Sequence, residues 1–248
     1  MLAPRSLHLV KTLFKKTSLG ERWHFAAWKY WTTLRCIIRY GRLFDPHETL
    51  WVNTNDVVYA CRLMTGDSNR WRDRGRVSGG EWDKDIVKFA DMDIYHACVE
   101  HFIDGKSWCD TDYYKRLCRN VSAGKKQWGK TREDVDEKVR GLEELYQSIM
   151  DKGYLSQAQL NNNRHQTFKS DDEIAIRIGR DGQLLFEDGR HRLAIAKLLG
   201  VERIPVKVTI RHAMWCDYLS RISSQAKSNK GFSNVAVHPD LQRYIRTM

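Results

Sequence analysis

The sequence predicts an α/β chain of the α+β kind, in which a small mixed sheet carries flanking helices. Hydrophobic and polar residues alternate in "EIAIRIG", "QLLFED" and "RIPVKVTI", as they do in half-buried strands. A helical segment, "GRHRLAIAKLLG", separates the last two of these strands. The middle of the chain shows helical periodicity instead. Together these patterns predict a β-turn-β-α-β unit joined to a helical lobe.

Composition indicates a folded chain with basic ends. The 248 residues are 42% hydrophobic and include nine Trp, which argues against disorder. Of the net charge of +11, residues 1–44 contribute nine Lys or Arg against one acid, and residues 203–248 contribute eight against two. This distribution predicts that the ends meet an anionic surface, either membrane or nucleic acid, with simple solubility as the alternative.

The sequence predicts a cytoplasmic protein, soluble or peripheral to a membrane. Its six cysteines form no CxxC pair, no secretory leader precedes them, and no apolar run is long enough to cross a bilayer. We expect a helical N-terminal extension at 1–44 and a main domain at 45–215. A helical lobe at about 86–140 should interrupt that domain, and a basic tail should occupy 216–248.

The N-terminal extension contains an amphipathic helix in "ERWHFAAWKYWTTLRCIIRY". Its apolar stripe recurs at helical spacing, and most basic residues lie off it: Trp23, Ala27, Trp31, Leu34 and Ile38. Such a stripe is typical of a helix packed on its own domain or on a partner. Residues 11–44 would also suit a helix in a membrane interface, peripheral to the bilayer, or a nucleic-acid contact.

An extended segment and a polar loop follow. Residues from Leu50 to Ala60 read as strand, because β-branched and aromatic residues dominate them. The loop "MTGDSNRWRDRGRVSGGEWDKD" is rich in Gly, Arg and Asp, and we hypothesise that it faces a ligand. Four alternating arginines suit phosphate, nucleic acid or plain solvation: Arg70, Arg72, Arg74 and Arg76.

Three helices are predicted for the lobe. The first ends at Gly105, and the second begins after a capping Asp110 or Thr111. The third begins after Thr131, which forms a capping-box pattern with Asp134. His96 and His101 are five residues apart on different faces of the first helix, so no metal site is predicted there.

The stretch "DGRHR" is the strongest candidate for chemistry. A strand ends at Asp188, Gly189 permits a tight turn, and the next helix exposes its positive N-terminal end there. Arg190 and Arg192 add donors for phosphate, and His191 would donate to an oxyanion or shuttle a proton. The alternative is that Asp188 merely caps the helix while both arginines lie in solvent.

These residues carry a family resemblance. "LLFEDGRHRLAIAKLLGVERIPVKV" resembles the ParB/sulfiredoxin superfamily, with its strand, basic Gly-containing turn, Ala-rich helix and "IPV" strand. "LEELYQSIMDKGYLSQ" is similar to the helix and turn that precede this unit, so the resemblance runs from Leu142 to Arg211. Residues Leu50 to Asp85 would supply the family's first strand and its first sequence motif, here called the first box.

The branches of this superfamily imply different chemistry. Sulfiredoxins carry a Cys in the turn where this chain has Arg190, which argues against sulfinic-acid reduction. Chromosome-partitioning ParB proteins carry Gly-Glu-Arg-Arg and bind CTP, but no helix-turn-helix follows here. The free-serine kinase branch carries Asp-Gly-His-His-Arg, which differs from this chain only at Arg190.

The resemblance implies binding of ATP or another nucleotide, with or without Mg²⁺, and phosphoryl transfer to a small hydroxyl substrate or NTP hydrolysis. Gly189, Arg190, His191 and Arg192 would hold the nucleotide, and Asp188 and His191 would act at the transferred group. From the first box, Glu81 is the candidate base. Two charged residues after the last strand, Arg211 and His212, would join the pocket if that strand ends on the side of the sheet where the helix after "DGRHR" starts. A nucleic-acid module and a peripheral membrane protein are the alternatives.

Overall fold

The computed structural model describes residues 18–62, 73–125, 129–161, 168–227 and 238–241. Within them the longer helices are α1 (Ser18–Tyr40), α2 (Asp93–Phe102), α3 (Asp112–Ser122), α4 (Arg132–Lys152), α5 (Gln157–Leu160), α6 (Arg190–Leu198) and α7 (Ala213–Lys227). The strands are β1 (Thr49–Asn53), β2 (Tyr59–Cys61), β3 (Arg76–Ser78), β4 (Ile86–Lys88), β5 (Ile174–Ile178), β6 (Leu184–Asp188) and β7 (Arg203–His212). The fold is mixed α/β of the α+β kind, as the sequence predicts.

All seven strands belong to one mixed sheet. Its order is β1-β7-β5-β6-β2-β4, and β3 runs parallel to the end of β7. β7 is parallel to β5 and antiparallel to β1, so it is an inner strand. Pro205 lies near the start of β7, where pairing with β5 begins only at Val206. The strand therefore tolerates a residue without an N–H donor.

The predicted β-turn-β-α-β unit is present. β5 and β6 form an antiparallel hairpin closed by the Gly179 N–H, which donates to the Gln183 carbonyl at 2.9 Å. α6 is buried between the sheet and the helical lobe, and four consecutive residues are fully buried: Leu193, Ala194, Ile195 and Ala196. They join the isoleucines of β5 in the main core, so burial of α6 fixes where its N-terminus lies.

The helical lobe packs on α6, and its helices begin where the capping signals predict. The Thr111 side chain accepts the Tyr114 N–H at the start of α3. Thr131 and Asp134 form a complete capping box at α4, which ends at Gly153. The lobe begins later than the predicted residue 86, because Ile86–Lys88 form a strand that pairs with β2. It also ends later than the predicted residue 140, because α4 continues to Lys152.

The second face of the sheet is polar. The Arg177 guanidinium donates to Glu187 at 2.7 Å, and the Lys207 ammonium lies 2.7 Å from Asp171. α1 packs on loop residues next to the strands: the Thr32 hydroxyl is 2.8 Å from His47 Nε2, and the Cys36 thiol donates to the Gly75 carbonyl. The stripe expected to pack on a domain therefore points outward, as described below.

The C-terminal region also departs from the prediction of a tail from residue 216. α7 buries Cys216, Leu219 and Ile222, so the first part of this region is a packed helix. Residues 238–241 return to the sheet, where Asp240 forms an ion pair with Arg211 at 2.6 Å. Residues 228–237 and 242–248 lie outside the described part of the chain.

Candidate functional site

The junction of β6 and α6 is shaped by one glycine. Gly189 is the N-cap of α6 and has φ +91°, in the left-handed region. A Cβ there would lie 3.1 Å from Cγ1 and 3.2 Å from Cα of Ile174, so a side chain would meet the neighbouring strand. Gly189 also supplies no capping side chain. The N-cap residue of α6 therefore places no side chain over the positive end of the helix dipole, where anions bind.

Asp188 organises the turn from the position before the N-cap. Its carboxylate accepts the Gly189 N–H at 2.6 Å, one residue ahead of the helical N–H groups. The first helical hydrogen bond runs from the Leu193 N–H to the Gly189 carbonyl at 3.1 Å. The interpretation of Asp188 as the N-cap is therefore wrong, because Gly189 occupies that position.

A cleft of about 400 Å³ opens in front of this helix end. It lies between α4 and the β6-α6 junction, and Asp172 closes one side. The lining residues are Lys138, Gly141, Leu142, Leu145, Asp172, Asp188, Gly189, His191 and Arg192. A cleft of this size is within the range of small-molecule sites, roughly 300–1,000 Å³.

His191 is held between the lobe and the helix end. Its Nε2 lies 2.9 Å from the hydroxyl of Tyr113 on α3, and the two rings meet edge to face. Burial, together with the positive charges of Lys138, Arg190 and Arg192, lowers the pKa of His191 to about 3. The imidazole is therefore neutral at pH 7 and a weak base. The His191 imidazole is therefore better suited to a hydrogen bond with a ligand than to proton transfer.

The cleft gathers cations around the helix end. Burial and the charge of Arg190 lower the pKa of Lys138. The Arg192 guanidinium donates to the Asp172 carbonyl at 2.6 Å and lies 4.0 Å from its carboxylate, which fixes the side chain along the cleft wall. Arg190 is not among the lining residues, although its charge acts on His191 and Lys138. This arrangement favours an anion.

The structure does not bring Glu81 to the cleft. Glu81 is exposed and pairs with Lys84 and with Arg180, 3.2 Å away. Arg180 belongs to the turn before β6, whereas Asp188 ends that strand. Glu81 and Asp188 therefore lie at opposite ends of β6, separated by its full length at roughly 3.3 Å per residue. Glu81 cannot act as the base at this site.

Other predicted groups serve the fold. The buried Arg74 side chain donates to the Asp171 carboxylate and carbonyl, and Arg76 pairs with Asp73 at 3.3 Å. Arg70 and Arg72, with the first nine residues (64–72) of the loop hypothesised to face a ligand, lie outside the described residues. Arg211 and His212 end β7 beside Ile178, far from the start of α6.

Metal ligation finds no support in the ranges that the structure describes. They contain no group of three or more His, Cys, Asp and Glu side chains able to hold an ion. His101 stacks on Trp108 with ring centroids 4.3 Å apart, and its Nδ1 lies 2.8 Å from the Lys106 carbonyl. This histidine therefore closes the end of α2.

Sequence reasoning missed three groups at this site: Lys138 and Asp172, which line the cleft, and Tyr113, which holds His191. All three are remote in sequence from the turn, and Lys138 looks like any solvated lysine on an amphipathic helix. Only Gly141, a break in the helical pattern of α4, marks the place where that helix leaves room. No protein-family model, curated protein or solved structure matches this chain.

Proposed function

We propose that the chain binds a nucleotide through its phosphates in the cleft between α4 and the start of α6. The observation that carries this proposal is the helix end itself: α6 begins at a glycine without a capping side chain, and it opens into a cleft lined by Lys138, His191 and Arg192. Helix N–H groups, a helix dipole and two cationic side chains together form an anion site.

Each group has a distinct part in binding. The N–H groups at the start of α6 bind phosphate oxygens, and Lys138 and Arg192 neutralise their charge. His191 stays neutral and adds a directional hydrogen bond, because Tyr113 holds the opposite side of its ring. The apolar Leu142 and Leu145 offer a surface for the base or the sugar.

The same cleft suits phosphoryl transfer to a small hydroxyl substrate or hydrolysis of the nucleotide. Phosphoryl transfer needs positioning and charge neutralisation above all. Asp188 and Asp172 are the two carboxylates that line the cleft. They would orient a hydroxyl group or, with phosphate oxygens and water, hold Mg²⁺. The resemblance to the kinase-type turn supports this reaction class, and Asp188 replaces Glu81 as the candidate base.

Calorimetry with ATP, ADP and CTP, with and without Mg²⁺, tests the binding. We expect one of these nucleotides to bind, and Lys138→Met or Arg192→Met to weaken it about tenfold or more, because each removes a charge-assisted hydrogen bond. Arg140→Met is the matched control, since Arg140 is an exposed cation on α4 outside the cleft lining. Absence of binding to all three nucleotides would overturn the proposal.

Asp188→Asn and Asp172→Asn separate binding from turnover. If the cleft transfers or hydrolyses phosphate, these variants should retain nucleotide affinity within a few fold while product formation falls about a hundredfold or more. Retained turnover in both variants would exclude the proposed roles of the two carboxylates, and nucleotide binding without turnover in the unaltered chain would leave a binding site alone. Binding to oligonucleotides alone, with steep salt dependence, would favour the nucleic-acid alternative.

A further inference from the structure

Helix α1 presents an apolar face to solvent. At 100° per residue, eight side chains fall within an arc of about 140° that contains no polar residue. We call these residues the apolar face: Trp23, Ala26, Ala27, Tyr30, Trp31, Leu34, Ile37 and Ile38. Trp23 and Trp31 are each 65% exposed and Ile38 is 75% exposed. A patch of this kind marks an interaction site.

The apolar face points directly away from the body of the protein. The buried side of the same helix runs through Phe25, Thr32 and Cys36, on the opposite side of the helical wheel. Contacts of Thr32 with His47 and of Cys36 with Gly75 hold that side in place. The helix is thus already formed and oriented, which reduces the entropy cost of binding through its outer side.

Basic residues border the apolar face on both sides. Arg22 and Lys29 follow one edge of the arc, and Arg35 and then Arg39 follow the other. The helix contains a single acid, Glu21. Tryptophan and tyrosine beside arginine and lysine are the composition of helices that lie in a membrane interface, where aromatic rings enter the headgroup region and cations meet anionic lipid.

We propose that the apolar face of α1 docks on the surface of an anionic phospholipid bilayer. The helix lies in the plane of the surface: among the helices of the described ranges, none is long and apolar enough to cross a membrane. Charge complementarity selects the lipid over a second copy of this chain. A dimer through the apolar face would bring two basic borders together, and the like charges would repel.

Vesicle flotation tests this docking. Full-length protein is mixed with phosphatidylcholine vesicles, with or without phosphatidylglycerol. We expect binding to the anionic vesicles that weakens as salt is added. Trp23→Ser combined with Trp31→Ser should reduce that binding at least tenfold. Both side chains are exposed, so the melting temperature should change little.

The matched control is Ile103→Ser combined with Met150→Ser, which removes two exposed apolar side chains from the helical lobe. It should bind vesicles like the unaltered chain. Equal loss of binding in this control would indicate general hydrophobicity and overturn the proposal. So would undiminished binding of the tryptophan variant, absence of binding to anionic vesicles, or a dimer that the tryptophan substitutions dissociate.

Discussion

The hydroxyl of Tyr113 lies 2.9 Å from Nε2 of His191 and joins the helical lobe to the start of α6. Tyr113 is almost fully buried, and burial raises its pKa, so the phenol keeps its proton. The bond restrains the imidazole of His191, which lines the proposed cleft. The lobe thus contributes to the site in two ways: α4 lines the cleft, and Tyr113 on α3 holds the His191 ring without lining it.

Tyr113→Phe should weaken nucleotide binding about fivefold, because a buried hydrogen bond contributes about 1 kcal/mol and the imidazole loses its orientation. Calorimetry measures this change. Tyr114→Phe is the control: Tyr114 is buried on the same helix, but its hydroxyl bonds to Asp136, away from the cleft. Equal weakening in both variants would show that the effect arises from stability alone.

Gly189→Ala should destabilise the fold more than Gly200→Ala. Both glycines have positive φ, +91° and +65°, so alanine is strained at each by about 1 kcal/mol or more. Only at Gly189 would the new Cβ meet another residue, Ile174; nothing lies within 4 Å of the corresponding point at Gly200. Urea unfolding should give a difference of at least about 1 kcal/mol between the variants. Equal losses would contradict the crowded junction.

Much of this fold is readable in the sequence because local chemistry and packing agree. The Thr131-Asp134 capping box and the hairpin before β6 depend on residues that are neighbours in the chain. The "DGRHR" turn is readable for the same reason. Its partners Lys138 and Tyr113 are not, because nothing in the sequence of an amphipathic helix tells which of its turns will face another element.

Hydrophobicity did not predict which side of α1 faces the body of the protein. The usual rule buries the apolar side of a helix, and here it selects the wrong side. The inner side of α1 buries Phe25, Thr32 and Cys36, and the hydrogen bonds of Thr32 to His47 and of Cys36 to Gly75 set the orientation of the helix. These partners are remote in sequence, so the pattern of the helix alone does not reveal them. The prediction of Glu81 as the base was wrong for a related reason. The loop that contains Glu81 was expected to meet the turn at Asp188, but the two lie at opposite ends of β6.

Glu173 should make stability depend on pH. Its carboxylate accepts the Gln157 N–H at 2.7 Å, and burial raises its pKa from 4.5 to about 7. Between these values the folded protein holds a proton that the unfolded chain releases. This group therefore contributes stability below about pH 4.5 that is lost as pH rises through 7. The lowered pKa values of His191 and His47 act in the opposite direction, since their contribution is lost as pH falls below 6.5.

Glu173→Gln isolates this contribution, because the amide imitates the protonated acid. Relative to the unaltered chain, the variant should gain on the order of 2 kcal/mol in unfolding free energy between about pH 5 and pH 8. Urea unfolding at both pH values measures the gain, and the histidine contributions cancel in the comparison. Exposed Glu144→Gln on α4 serves as control and should show no such gain. A pH-independent difference for Glu173→Gln would contradict the buried acid.

Asp240→Asn should be among the most damaging single substitutions in the described C-terminal residues. The carboxylate of Asp240 accepts two hydrogen bonds from Arg211, at 2.6 and 2.9 Å, and a third from Trp215 at 2.9 Å. Arg211 is 1% exposed, so loss of its counter-charge leaves a buried cation and should cost about 3–5 kcal/mol. Thermal or urea unfolding measures this loss.

The exposed pair of Arg62 and Asp85, 3.0 Å apart, provides the control for that measurement. Asp85→Asn should cost less than about 1 kcal/mol, because solvent screens the pair. Replacing both Arg211 and Asp240 by Met and Leu should recover much of the stability, since no charge then remains buried without a partner. A loss at Asp240 no larger than at Asp85 would show that residues 238–241 do not hold the end of β7. Destabilisation by Asp240→Asn with full recovery in the double variant would identify charge pairing as the reason this segment returns to the sheet.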